Sequence, residues 1–132
     1  MKVTPFFVSQ HFPMITSWWK AMNFPVMESK YLPPTGFLVV DPEGAICAGF
    51  LYKADGGVCT IGHIVANPER VGDTRSEAID LLITQLLGSA KEAGYDMVGA
   101  SVGANLKRMN HRYRKLGFTQ TDENINMLAR RI

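Results

Sequence analysis

The sequence predicts one α/β domain spanning residues 1–132, a mixed β-sheet with helices on both faces, and three observations carry that prediction. Val58 to Gly94 reads as a strand, a tight polar loop and a long amphipathic helix: VCTIGHIVA is mostly apolar, NPERVGD turns the corner, and TRSEAIDLLITQLLGSAKEAG has helical periodicity that stops at a glycine. Upstream, Asp41-Pro42-Glu43-Gly44 and Ala54-Asp55-Gly56-Gly57 are turn signals that separate three β-rich runs into an antiparallel meander. Downstream, YDMVGASV is a strand reached directly after a βα unit. It is expected to run parallel to the Val58–Ala66 strand through a right-handed crossover.

Taken in order, Val3–Ser9 carries β-favouring residues, with Pro5 marking an edge position. Met14–Met22 places Met14, Ile15, Trp18, Trp19 and Met22 on one helical face. Pro25, Pro33 and Pro34 keep the next stretch, through Gly36, a loop with at most one helical turn. Loops of that length are often binding elements, and its Met22, Phe24, Met27, Tyr31 and Leu32 suit either a pocket cover or a core cap. Pairing across the Ala54–Gly57 turn sets His63 beside Ala48, on the face of Phe50, Tyr52, Ile61 and Val65. It sets Gly49 opposite Gly62 on the other face, a flat patch for a helix or a ligand. After the parallel strand, Asn105 is a suitable N-cap for LKRMNHRYRKL, which Gly117 ends. FTQTD and INMLARR are expected as a last strand pair.

The composition narrows the functions. Hydrophobic residues make up 46% and charged residues 20%, a globular balance, and the formal charge of +2 is too small for a nucleic-acid footprint. The basic residues after Asn105 read as a solvated helix face. No apolar run reaches the ~20 residues of a membrane span, and the N-terminus lacks the features of a signal peptide. Cys47 and Cys59 fall too far apart along the expected ladder to bridge, so a reduced, cytoplasmic protein is expected. No metal site is expected.

The Val58–Gly94 unit offers a chemical feature. Free N–H groups at a helix start, together with the helix dipole, attract phosphate, and Arg70 and Arg75 flank that corner. Thr74 and Glu77 have the spacing of a capping box. An ordinary βα corner that binds nothing has the same outline.

The element order, together with Asn105 and Tyr113-Arg114-Lys115-Leu116-Gly117-Phe118, resembles the GCN5-related N-acetyltransferase superfamily. Its ending Y-x-K-L-G-F is a recognisable mark of that family. Val65-Ala66-Asn67-Pro68-Glu69-Arg70 is similar to the family's central strand and the start of its acyl-CoA loop. The resemblance covers Gly36 to the C-terminus and extends to small acetyltransferase-like proteins often found in phage genomes. It implies transfer of an acetyl group from the co-substrate acetyl-CoA to a primary amine of a small molecule or protein.

Carried onto this chain, the resemblance implies that Val65 and Ala66 give backbone contacts to pantetheine. Val71, Gly72, Asp73, Thr74, Arg75 and Ser76, with Arg70 before them, would hold pyrophosphate, and Asn105 would reach the cofactor arm. Tyr113 would protonate the departing thiolate, unless it is a core tyrosine. Where the family often places a glutamate base, this chain has Ile61, Gly62 and His63. His63 titrates in the right range for a base, although a histidine beside Ala48 and Phe50 also fits a structural role. The loop departs from the family's glycine-rich R-x-x-G-x-G/A, and Asp73 is an unwelcome charge beside phosphate. An inactive binding or structural module with this fold is therefore the alternative, and a homodimer is left open.

Overall fold

The computed structural model of the chain describes all 132 residues. Its elements are β1 (Lys2–Pro5), α1 (Val8–Ala21), a 3-10 turn (Ser29–Tyr31), β2 (Thr35–Asp41), β3 (Gly44–Tyr52), β4 (Val58–Ala66), α2 (Gly72–Glu92), β5 (Met97–Ala100) and α3 (Lys107–Lys115). The strands form one mixed sheet in the order β1-β2-β3-β4-β5. The first three pairings are antiparallel and β4–β5 is parallel. The chain divides into two compact units, Met1–Ser101 and Val102–Ile132.

In the first unit each sheet face is covered by one helix. Alternation along β3 turns Ala48 and Phe50 to one side, where they join Ile15, Trp18 and Trp19 of α1, with Phe6, Leu38 and Val65. Gly49 faces the other side, where α2 lies. A Cβ at Gly49 would sit 3.1 Å from Leu82 Cδ2 and 3.4 Å from Leu86 Cδ1, so its missing side chain sets how closely the helix approaches. Ala78, Leu82, Ile83, Leu86 and Ala90 of α2 are fully buried. The two glycines expected to oppose each other do not. Gly62 is paired with Phe50, and a Cβ there would meet the Tyr52 ring at 2.9 Å.

Several expected boundaries move. β1 is an edge strand, as Pro5 requires, but it ends there and α1 begins at Val8, six residues before Met14. Pro13 therefore lies inside the helix. An interior proline costs about 3 kcal/mol, and the burial of Ile15, Trp18 and Trp19 is large enough to offset it. The capping box does not form, because Val71 is the N-cap of α2 and Thr74 already lies within the first turn. Asn105 is likewise displaced by Leu106 at the N-cap of α3. Asn110 does the local work instead, donating from Nδ2 to the carbonyls of Gly103 (3.0 Å) and Leu106 (2.9 Å).

All three helices end the same way. Asn23 (φ 57°), Gly94 (φ 93°) and Gly117 (φ 96°) occupy the left-handed position after the C-cap. The N–H groups of Phe24, Tyr95 and Phe118 then reach back to the carbonyls of Trp19, Ala90 and Tyr113. This is the Schellman closure. In the second unit it gives the Tyr-to-Phe signature a structural meaning, because the Tyr113 and Phe118 rings meet edge to face at 4.9 Å, the apolar contact that accompanies this motif.

The expected final strand pair is absent: residues 118–132 contain no strand. Phe118 is held in the helix closure, and Ile125, Met127 and Leu128 are exposed. An isolated two-stranded hairpin without a buried face is marginal in water.

Candidate active site

The site is built on β4, and on a register the sequence pattern does not reveal. Phe50, Leu51 and Tyr52 of β3 pair with Gly62, Ile61 and Thr60, whereas Ala48 and Cys47 pair with Val65 and Ala66. Two residues of β4, His63 and Ile64, therefore stand opposite the single Gly49. That is a β-bulge, and it moves His63 from its expected position beside Ala48. His63 absorbs the extra residue at φ 56°, a left-handed conformation that costs a side-chain-bearing residue on the order of 1–2 kcal/mol. Cys47 and Cys59 pair across the sheet with Ala66 and Val98, so they do not face each other.

On its other side β4 is paired for only part of its length. The parallel ladder with β5 runs from Val58↔Met97 to Ile61↔Ala100 and stops there, one residue before the bulge. From Gly62 to Ala66 the β5 side of the strand is open. Asn67 N–H bonds Ile46 O on the β3 side at 2.8 Å. Backbone groups alternate along a strand, so those of Ala66 point to the open side and those of Val65 toward Ala48. Of the two residues expected to offer backbone contacts, Ala66 is the one so oriented.

A rigid corner follows. Asn67 Nδ2 donates to Ala45 O (3.1 Å) and its Oδ1 accepts the Glu69 N–H (3.0 Å). Arg70 forms an ion pair with Asp41, which holds that carboxyl below its ordinary range, and lies 3.7 Å from Glu43. Arg75 Nε donates to Arg70 O (2.6 Å) and its Nη2 to Asn67 O (2.9 Å). Both guanidinium groups expected at a phosphate are thus engaged with the protein, and they brace the loop. Val71 is exposed and extended, and no side chain caps α2. Gly72 follows at φ 73°, a backbone position suited to glycine. Val71 O accepts the Arg75 N–H as the first intrahelical bond, so the N–H groups of Gly72, Asp73 and Thr74 have no intrahelical acceptor and form a donor cluster at the positive end of a 21-residue helix. Asp73, exposed in the same turn, opposes an anion there.

On the α1 side of the bulge, His63 Nδ1 lies 2.6 Å from Tyr52 Oη. The Trp19 ring stands edge to face with the imidazole at 6.2 Å. Tyr52 Oη also lies 3.9 Å from Met27 Sδ, which ties the loop after α1 to this cluster. Burial lowers the His63 pKa and pushes the Tyr52 phenol up to about 12. Tyr52 is a residue the sequence argument passed over. Its place on the His63 face was legible, but not its partnership. In the second unit, burial also pushes the Tyr113 phenol up to about 12, and Asn105 lies exposed in the turn before α3.

An open strand edge running into an uncapped helix start suits an extended, amide-bearing ligand that ends in phosphate. Solved structures share this architecture. The chain is similar to an Agrobacterium tumefaciens protein assigned as an acetyltransferase, at a TM-score of 0.74 and 12% identity, covering 98% of this chain and 100% of that one. The fold is that of the GCN5-related N-acetyltransferases. A Klebsiella pneumoniae protein assigned as an acyl-CoA N-acyltransferase matches this acetyltransferase fold at a TM-score of 0.73 and 16% identity, over 89% of this chain and 82% of that one. An aminoglycoside N-acetyltransferase in complex with CoA matches at 0.71 and 13%, over 98% and 99%. No family model matches the sequence, and no curated protein matches it.

Proposed function

We propose that the protein is an N-acetyltransferase that uses acetyl-CoA and a primary amine of a small molecule or protein. The observation that carries this reading is the open edge of β4 past Ile61↔Ala100, continuing into the uncapped start of α2. Ala66 backbone groups would pair with the amide-rich arm of the cofactor, and the N–H groups of Gly72 to Thr74 would hold its pyrophosphate. Arg70, Arg75 and Asn67 act indirectly by fixing the loop. Asn105 would contact the same arm. When bound, acetyl-CoA supplies an acetyl thioester. The amine nitrogen bonds to its carbonyl carbon, the C–S bond breaks, and the amine's surplus proton passes to solvent. Tyr113 would give its phenolic proton to the thiolate and regain one from solvent. With its pKa near 12, this phenol is fully protonated at neutral pH.

Titration with acetyl-CoA tests the reading. At about 100 times Kd, a ligand of the native state adds ~2.7 kcal/mol of stability, a clear rise in melting temperature. Tyr113→Phe keeps the ring against Phe118, so it should preserve the fold and CoA affinity while turnover falls ~100-fold. An unchanged rate would remove Tyr113 as the donor. No melting shift at millimolar CoA would contradict the proposal. A second reading, an inactive binding or structural module of this fold with weak or no acyl-CoA binding, draws support from Asp73 and from the engagement of both corner arginines. It predicts little or no melting shift with CoA and no acetylated product.

A further inference from the structure

His63 is a titratable side chain at the point where the open edge begins, and its partners determine what it can do. Tyr52 Oη has two acceptors in reach, His63 Nδ1 at 2.6 Å and Met27 Sδ at 3.9 Å. A phenol has one proton to give. An imidazole nitrogen is a far stronger acceptor than a thioether, and here it is also the nearer one. The hydroxyl therefore donates to Nδ1. A neutral imidazole carries one hydrogen, so with Nδ1 accepting, that hydrogen sits on Nε2. Burial lowers the ring's pKa, which keeps it neutral at pH 7.

We propose that His63 serves this site as a hydrogen-bond donor through Nε2–H rather than as a base, and that Tyr52 is the positioning residue that fixes this tautomer. The ligand chemistry it fits is a carbonyl oxygen held where the unpaired part of β4 starts. On the acetyltransferase reading, on which this second half rests, that oxygen belongs to the thioester. It gains negative charge as the amine adds, when a placed N–H donor helps most. The Trp19 ring and the Tyr52 bond together restrict the imidazole's rotation, as such a donor requires.

The tautomer is a property of the protein alone and is read without ligand. In protein labelled with 15N-histidine at pH 8, signals that disappear in His63→Gln identify His63. The expected pattern is a protonated Nε2 and an unprotonated Nδ1, and Tyr52→Phe should convert it to a tautomer mixture. A protonated Nδ1 in the parent protein would overturn the proposal, whether or not acetyl-CoA binds. Kinetics test the role. His63→Ala should lose ~100-fold in kcat, the scale of one lost donor. His63→Gln, whose amide restores an N–H but cannot take up a proton, should recover at least about tenfold of that loss. Alanine and glutamine share the same backbone cost at φ 56°, so the comparison isolates the side chain. A glutamine variant as slow as alanine would overturn the donor role, and melting curves confirm that each variant folds.

Discussion

The two halves of β4 share one strand and one partner on the β3 side, yet they are built for different ends. Val58–Ile61 is paired with β5 throughout and at Thr60 and Ile61 with β3 as well, and Cys59 and Ile61 are almost fully buried. Gly62–Ala66 contains a bulge, a strained left-handed histidine and an edge without a neighbour. The first half gives stability. The second gives up ladder hydrogen bonds and conformational ease, and strain of that kind is characteristic of binding and catalytic positions. The dividing point is sharp because the bulge re-aims the strand within a single residue of the last β4–β5 pair.

Substitutions in the two halves should therefore report on different quantities. The largest effect is expected in the closed half. Ile61→Ala removes a side chain only 2% exposed between β3 and β5, and the cavity should cost ~2–5 kcal/mol, read as a lower urea midpoint at unchanged slope. A loss under 1 kcal/mol would mean that the closed half is not the stabilising one. Ala66→Pro probes the open half. It removes an N–H that points away from β3, a position where an edge strand tolerates proline. Folding should change little, while CoA affinity should fall by ~1 kcal/mol, about fivefold, in calorimetry. A severe folding defect with unchanged affinity would reverse the comparison.

The smallest effect is a pH dependence. Burial sets the His63 pKa in the folded protein below its ordinary 6.5. As pH falls through 6.5 the unfolded chain takes up a proton before the folded protein does, so stability declines from there down to the folded value. His63→Gln should flatten that part of the melting-temperature profile, and an unchanged slope would assign it to other groups.

Most of the framework was legible in the sequence because its signals are local. Turn residues at Asp41–Gly44 and Ala54–Gly57 delimit β3, and the 3.6-residue periodicity ending at Gly94 delimits α2. The parallel β5 follows from the βα order. The bulge was hidden, because period-two pairing has no place for an extra residue and His63 is not the glycine that a left-handed position usually takes. Its setting is tertiary: the extra residue of β4 stands opposite Gly49, and α2 packs against that glycine. The corner arginines show the same limit. Their charge is visible in the sequence, but not that Asp41 and two loop carbonyls already engage them. Thr74 and Asn105 had the right chemistry for caps, but each helix starts where the backbone, not those side chains, sets it.

The claim that the open half of β4 is a ligand edge is tested most directly by amide hydrogen exchange with and without CoA. The account predicts that the Ala66 amide and those at the start of α2 exchange more slowly once CoA is bound, while Thr60 and Ile61, already inside the sheet, stay as they were. Binding that raises the melting temperature but leaves exchange from Gly62 to Arg75 unchanged would contradict it, and would place the ligand elsewhere on the fold.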